Sequence, residues 1–339
     1  MSKKINIALY GFGRIGRNLF RLGYDNPQYN FVAISDFGTP EILQYLLSRD
    51  SIHGPIKDKV KLDGNYLIVK NQHVRVISGG EPGTIPWDVL EADVVIDATG
   101  RFLTSNKLGL HLESGAKRVF LTRNPKDTID RYVIPGINES EISLDDKIVS
   151  TTSSTTQVLA LMIKMLDEAF GLERAMMTTV HAYTADQPLA DVAGVDLRRS
   201  RSAVENIIPN TTLSPALVEQ IMPQYKGKLD GIAFNVPVPN GSCVDLTTEL
   251  RNIPNIKDAN KAIKEYSNNR LKGIVGYTSD PIVSSDVCGR EETMVFDEKA
   301  TMLTKDELLK TLCWYDNGWG FSKRILEVVD AYSKLEEEF

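Results

Sequence analysis

The chain of 339 residues has only three cysteines, at 243, 288 and 313. They are too few and too widely spaced for a disulfide framework or a CxxC zinc site, so free thiols in a reducing, cytoplasmic compartment are expected. Only four histidines are present, at 53, 73, 111 and 181, which argues against a histidine-rich centre, and no metal is expected. Positive charge is also short: 39 Lys and Arg against 45 Asp and Glu leave a net charge of −6. That balance argues against a nucleic-acid partner. No apolar run approaches the roughly 20 residues a bilayer demands, so no membrane partner is expected either. The first apolar stretch, Ile5–Tyr10, is interrupted by Asn6 and ended by Gly11 and Arg14, which does not suit a secretion signal. Internal repeats and low-complexity tracts are lacking.

What remains is ordinary globular composition, 42% hydrophobic and 25% charged, over a length that suits about two domains. Short apolar stretches in the first half, Ile5–Tyr10, Phe31–Ser35, Asp93–Ala98, Arg118–Leu121 and Lys147–Ser150, read as buried strands. Helical patterns over Arg14–Tyr24 and Thr39–Leu47 lie between them, and such alternation implies βαβ units in a mostly parallel sheet. Thr155–Ala169 then carries Val158, Leu159, Met162, Ile163 and Leu166 at helical spacing. Extended segments follow over Ala175–Tyr183, Asp230–Val238 and Ser242–Leu250, the last two joined by the turn Pro239-Asn240-Gly241, which suggests an antiparallel sheet. A polar, irregular stretch over Ala185–Ser202 is long for a structureless loop, and such loops are usually functional or at an interface. The chain ends in a helix over Ser322–Glu337 and an acidic run, Glu336–Glu338.

Gly11-Phe12-Gly13-Arg14-Ile15-Gly16 is a GxGxxG between an expected strand and an expected helix, and Asp36 ends the next strand 20 residues after Gly16. In that context the glycines permit a tight turn and close approach of a pyrophosphate to a helix N-terminus, and the acid binds the adenosine ribose hydroxyls. The alternative is a glycine-rich turn with no ligand. The carboxylate of Asp36 would repel a 2′-phosphate and no Arg or Lys follows in Phe37-Gly38-Thr39, so NAD is preferred over NADP.

Three polar features mark the second half. Ser153-Ser154-Thr155-Thr156-Gln157 opens the long helix; it reads as an anion-favouring helix start or as a capping box, Ser154-x-x-Gln157, and spacing alone favours the cap. His181 falls at the end of the strand that includes Met176–Val180, where a lone histidine is more often structural than catalytic. Thr211-Thr212, ahead of an expected helix over Ser214–Ile221, is again either an anion site or a cap.

With these segments assembled, the chain resembles the phosphorylating, NAD-dependent glyceraldehyde-3-phosphate dehydrogenase family over essentially its whole length. The motifs are Tyr10-Gly-Phe-Gly-Arg-Ile-Gly-Arg17, Asp50-Ser-Ile-His-Gly54, Asp97-Ala-Thr-Gly-Arg-Phe102, Lys147-Ile-Val-Ser150, His181-Ala-Tyr-Thr184, Arg198-Arg-Ser-Arg201, Asn206-Ile-Ile-Pro209 and Trp314-Tyr-Asp-Asn317. The resemblance implies an α/β Rossmann-type NAD-binding domain over 1–153, completed by the C-terminal helix of 318–339. An α+β catalytic domain with a mostly antiparallel sheet would span 154–317. It also implies a homotetramer, with the 185–202 stretch near a neighbouring subunit's cofactor. The family's nucleophilic cysteine aligns with Ser154 and its general base with His181. Substrate phosphates would be held at positions matching Ser153, Thr155, Thr184 and Thr212. NAD would contact Gly11, Phe12, Gly13, Arg14, Ile15, Gly16, Asp36, Thr99 and Thr122, and the nicotinamide carboxamide would be held by Asn317.

Several positions depart from that pattern. Ser154 is too weakly acidic to supply a thiolate. Asn235 stands where the family places an arginine on the substrate phosphate, Leu213 replaces a glycine of the inorganic-phosphate loop, and Gly318 replaces an acid. Thr122-Arg123-Asn124 replaces a small, neutral run. Arg123, Arg198, Arg199 and Arg201 are candidates to replace the missing arginine, and solvated or intersubunit charge explains each as well. Cys313 reads as a substitute thiol near the nicotinamide or, better, as a small buried residue.

Three readings follow. One is a divergent NAD-dependent oxidoreductase acting on a small aldehyde or alcohol, phosphorylated or not. A second is a true family enzyme with a Cys-to-Ser change, and a third is a non-catalytic NAD-binding sensor or assembly protein. Under the first, His181 moves the proton and Ser154 supplies a hydrogen bond.

Overall fold

The computed structural model describes residues 4–194 and 196–337, so Glu338 of the acidic run and residue 195 of the long loop lie outside the described residues. The chain divides into two compact units, Met1–Ser153 with Ser322–Phe339, and Ser154–Phe321.

In the first unit the strands and helices run β1 (Ile5–Tyr10), α1 (Arg14–Gly23), β2 (Tyr29–Asp36), α2 (Pro40–Ser48), a short hairpin of β3 (Arg49–Asp50) and β4 (Gly54–Pro55), β5 (Lys61–Asp63), β6 (Tyr66–Val69) and β7 (Gln72–Ser78). They continue with β8 (Val94–Asp97), α3 (Ser105–Glu113), β9 (Arg118–Leu121), β10 (Arg131–Tyr132) and β11 (Ile148–Ser150). Nine strands form one sheet in the order β10-β11-β9-β8-β1-β2-β7-β6-β5, parallel except where β6 pairs with β5 and β7. The expected parallel sheet is therefore present, with an antiparallel edge that the short strands β5 and β6 supply. Ile7, Leu9, Phe31, Val95 and Ile96 are fully buried in it, as continuous Val/Ile/Leu runs in a sheet covered on both faces must be. Strand order reverses about β1, which pairs in parallel with β2 on one side and β8 on the other. Such a reversal opens a crevice at the carboxyl ends of those strands, where Tyr10, Asp36 and Asp97 stand.

His111 belongs to this unit's core. It is fully buried, accepts a hydrogen bond from Trp87 Nε1 on Nδ1 at 3.0 Å, and faces the buried Asp97 carboxylate across 3.8 Å from Nε2.

The second unit runs α4 (Ser154–Phe170), β12 (Leu172–Ala182), β13 (Ile208–Asn210), α5 (Ser214–Ile221), β14 (Leu229–Val236), β15 (Ser242–Leu250), α6 (Ile256–Asn268), β16 (Val275–Thr278), β17 (Met294–Asp297), β18 (Met302–Leu303) and β19 (Leu308–Tyr315). Helix α7 (Trp319–Glu337) begins here, and from Ser322 onward it belongs to the first unit. The sheet order is β13-β14-β12-β15-β19-β17-β16, antiparallel except for the β12–β14 and β16–β17 pairs. Helix α4 is not the one-faced helix its spacing suggests. Every residue over 155–163 is buried, so its first half is a core element enclosed on all sides. Gly241, in the expected turn between β14 and β15, has φ +82°, and a Cβ there would lie 2.0 Å from the Ser284 carbonyl oxygen, so the turn admits only glycine.

The described residues of the 185–202 stretch form neither helix nor strand. The loop is tied by its own side chains: Asp191 accepts from Ser202 N at 2.9 Å and from Arg201 Nε at 2.8 Å, and Asp186 accepts from Arg199 Nη2 at 2.7 Å.

Candidate functional site

The glycine loop of the first unit is shaped by missing Cβ atoms. Gly11 has φ +96°, and a Cβ there would lie 2.8 Å from the Ala98 carbonyl carbon and the Thr99 nitrogen; one on Gly16 would meet the Gly11 oxygen at 2.2 Å. These two glycines let β1, β8 and α1 close on one another. At Gly13, by contrast, a Cβ would meet no protein atom within 4 Å, so this backbone faces open space at the N-terminus of α1. The first turn of α1 holds no acidic residue of its own to oppose a bound anion. That is the geometry a pyrophosphate requires.

The Asp36 carboxylate is held by two backbone N–H groups, from Phe12 at 2.7 Å and from Gly38 at 2.9 Å, one on each oxygen. Each oxygen keeps a further lone pair for a ribose hydroxyl. A cavity of about 170 Å³ opens beside it, lined by Gly11, Gly13, Asp36, Phe37, Thr99 and Arg101 among others. Arg101 lies over the Phe37 ring at 5.1 Å. Arg101, within the quoted Asp97–Phe102 motif, arrives from the end of β8 and not from the residues after Asp36. Phe12 contributes only its backbone, since its ring is buried against Phe20. Thr99 and Thr122 both turn their hydroxyls on Asp97: Thr99 Oγ1 donates to Oδ1 at 2.6 Å and Thr122 Oγ1 to the main-chain oxygen at 3.0 Å. Arg14 and Ile15 lie half-buried in the first turn of α1. The loop, the open Gly13 backbone and the anchored acid together fit a dinucleotide.

In the second unit a hydroxyl bridge organises the start of α4. Thr155 Oγ1 lies 2.7 Å from the Tyr315 hydroxyl, which lies 3.1 Å from Thr179 Oγ1, and Thr179 in turn donates to the Cys243 carbonyl at 3.0 Å. Thr156 donates to Ser214 Oγ at 3.0 Å. Burial pushes the Tyr315 phenol up to about 12, against the pull of hydrogen bonds from Thr155, Thr179 and Ser242, so it stays protonated and serves as a tie. Ser154 is the first helical residue, not the residue ahead of the helix, and no acidic side chain lies in this first turn.

His181 follows Thr179 by two residues and therefore lies on the same face of β12. Its Nδ1 sits 2.6 Å from the Ala182 carbonyl, a contact that an Nδ1–H satisfies, and in the neutral ring that tautomer puts the lone pair on Nε2. The neighbouring backbone is fixed as well: Ala182 N donates to Ser242 Oγ at 3.0 Å and Ser242 Oγ donates to Asn317 Oδ1 at 3.4 Å. Asp316 pins the Asn317 turn, its Oδ1 accepting from Gly318 N at 2.8 Å and Trp319 N at 2.7 Å, its Oδ2 from Asn240 and Gly289 at 2.8 Å each.

Asn235 pairs with His181 in the parallel register of β12 and β14. Thr184 donates to Asp186, and Thr212 accepts from Ser214 N at 3.2 Å, while the N-cap position of α5 is Leu213. Ser153 is half-buried at the end of the first unit.

Tyr315, Ser242, Asp316 and Asn210 were missed from sequence. Tyr315 sits inside the quoted Trp-Tyr-Asp-Asn motif, which is the one signal that could have found it. Of the candidate cations, Arg199 and Arg201 are paired with Asp186 and Asp191, and Arg123 belongs to the first unit, packed against Gly100. Cys313 is a core residue: burial raises its thiol well above the usual range, and burial likewise pushes Cys243 up to about 11. Neither offers a thiolate.

Residues 5–105 match the family model described as the NAD binding domain of glyceraldehyde 3-phosphate dehydrogenase, and residues 153–317 match the model of its C-terminal domain. Glyceraldehyde-3-phosphate dehydrogenase 1 of Bacillus subtilis (strain 168) is 38% identical over 331 residues, 97% of this chain and 98% of the relative. Glyceraldehyde-3-phosphate dehydrogenases of Buchnera aphidicola subsp. Schizaphis graminum and Borreliella burgdorferi are each 41% identical, over 97% of this chain or nearly so (96% and 97%) and 98% and 100% of the relatives.

Proposed function

The chain belongs to the glyceraldehyde-3-phosphate dehydrogenase family of NAD-dependent oxidoreductases, and from that premise we propose that it exchanges hydride with a small aldehyde or alcohol without forming a thioester. The observation that carries this reading is that Cys243 and Cys313 are sealed in the core while Ser154, which the resemblance aligns with the family's nucleophile, opens α4. An alcohol hydroxyl far from ionising cannot take over the work of a thiolate at neutral pH.

NAD, when bound, supplies the hydride acceptor. The Asp36 carboxylate and the Gly13 backbone would hold its ribose and pyrophosphate, with Gly11, Phe12, Arg14, Ile15, Gly16, Thr99 and Thr122 around them. Asn317, braced by Ser242, would hold the carboxamide. His181 takes the hydroxyl proton of an alcohol, or of a hydrated aldehyde, on Nε2, and the Ala182 carbonyl stabilises the resulting imidazolium through Nδ1–H. The Ser154 hydroxyl donates to the substrate oxygen and forms no bond to carbon. Hydrated aldehyde then leaves as carboxylic acid, with one hydride and one proton removed.

The test is a panel of phosphorylated and unphosphorylated aldehydes and alcohols followed at the NADH absorbance, beside calorimetry with NAD and NADP. NAD-dependent turnover that needs no inorganic phosphate is the expected result. NAD binding with no turnover of any member would instead favour the sensor or assembly reading.

The same reading carries a homotetramer in the cytoplasm. It is supported by the uncovered face of the second unit's sheet, where Met176 is 59% and Ile232 38% exposed, and by Leu197, 91% exposed in the long loop. Three free cysteines suit a reducing compartment.

A further inference from the structure

The groups flanking His181 are wrong for an anion. Asn235 is its cross-strand partner, on the same face of the sheet and only 8% exposed. Its Oδ1 accepts from Asn210 Nδ2 at 3.4 Å, which turns the Asn235 Nδ2 donors away from Asn210. Three residues beyond His181, Thr184 donates to Asp186, and the second oxygen of Asp186 takes the Arg199 guanidinium at 2.7 Å. Arg199 is thereby matched by a carboxylate that Thr184 also contacts, and Arg201 of the same loop is matched by Asp191. At α5 the amide of Ser214 is already committed to Thr212 Oγ1.

A phosphate dianion moved from water into a partly buried site needs a cation to offset desolvation, ideally the two-pronged fork of an arginine. Asn235 and Asn210 provide no charge, and Asp186 would repel one. A hydroxyl, in contrast, both donates and accepts, and a carboxamide answers both roles without net charge. Resting on the hydride-transfer reading above, we propose that Asn235 selects an uncharged, hydroxyl-bearing end on the substrate, so that the enzyme takes unphosphorylated hydroxyaldehydes or the corresponding polyols.

Binding and turnover test this separately. Calorimetry on the wild-type enzyme saturated with NADH compares glycerol with glycerol 3-phosphate, and initial rates with NAD compare glyceraldehyde with glyceraldehyde 3-phosphate. The unphosphorylated member is expected to win both comparisons, the rate constant kcat/KM by about 10-fold or more, the scale set by leaving one desolvated polar group unmatched. Asn235→Arg is expected to shift the preference toward the phosphorylated member by about 10-fold. Should that variant fail to fold, Asp186→Asn, which releases Arg199, is expected to shift it the same way. Tighter binding of glycerol 3-phosphate by the wild type overturns the proposal whether or not any aldehyde turns over. The expected binding order with no NADH from any aldehyde would sustain the selection by Asn235 and refute the hydride-transfer reading alone.

Discussion

On the proposed function, the first unit holds its cofactor with main-chain groups and one fixed carboxylate, Asp36, whereas the second meets its substrate with exchangeable side chains. Around the glycine loop the Phe12 and Gly38 amides fix the Asp36 carboxylate, and the bare Gly13 backbone stands open at the end of α1. A single added methyl at Gly11 or Gly16 collides with main chain, so little can change there. Around His181 the frame is equally firm, held by Tyr315, Ser242 and Asp316, but the groups it presents, Ser154 and Asn235, are side chains that exchange without moving the frame. A site built from replaceable side chains on a fixed frame can change its chemistry while keeping its cofactor.

The largest effect that separates the two halves is expected for His181→Asn. Loss of the proton acceptor should lower kcat by about 10²–10⁴-fold, the range for a removed general base, while NAD affinity measured by calorimetry stays within about twofold. Unchanged turnover would remove His181 from the reaction.

Gly11→Ala and Gly13→Ala dissect the first unit. Gly11→Ala combines a left-handed φ with a 2.8 Å clash against backbone, and should lower the unfolding free energy by about 3 kcal/mol in urea titrations. Gly13→Ala adds a methyl to empty space, so the urea midpoint should hold while NAD binds about 10-fold more weakly. Equal destabilisation by both would mean that the open face over Gly13 is not the cofactor's place.

Tyr315→Phe probes the frame of the second unit. It strips the shared partner from the buried hydroxyls of Thr155 and Thr179, at a cost of about 1–3 kcal/mol in chemical denaturation. NAD affinity should be unaffected.

The same contrast explains what could be read in the sequence. Strands β1, β9 and β15, helix α5 and the GxGxxG-to-Asp36 spacing were legible because each is local: a run of apolar residues, a glycine signature, a fixed interval. Asp36 could be assigned to the loop because only 24 residues separate it from its Phe12 partner. The tie between Thr155 and Tyr315 spans 160 positions, and that between Ser242 and Asn317 spans 75, so no pattern in the chain joins them. Helix α4 misled in another way. Its apolar spacing suggests one buried face, but Thr155 and Thr156 are buried too, because their hydroxyls find Tyr315 and Ser214, partners far away in the chain. Ser154, which spacing favours as a cap, is the first residue of α4, and the loop of 185–202 is recognisable only by its lack of pattern.

The smallest effect is expected for Ser154→Cys, and it bears most directly on how the two halves diverged. A thiol at the start of α4, with no acidic side chain in the first turn and His181 on the adjoining strand, should ionise more readily than free cysteine and react faster with iodoacetamide than any of the three native thiols. The thiolate alone does not rebuild the family's reaction. Asn235 still gives a phosphorylated substrate no cation, and Leu213 still stands at the cap of α5. Because a thiol is a weaker donor than a hydroxyl, turnover of the enzyme's own substrate should fall by less than about 10-fold and should not come to depend on inorganic phosphate. Iodoacetamide labelling, set beside NADH formation with and without phosphate, reads both outcomes. If this one substitution instead brought phosphate-dependent oxidation of glyceraldehyde 3-phosphate, Ser154 would be the only barrier to the family's reaction. The neutral surroundings of Asn235 would then have no bearing on substrate choice.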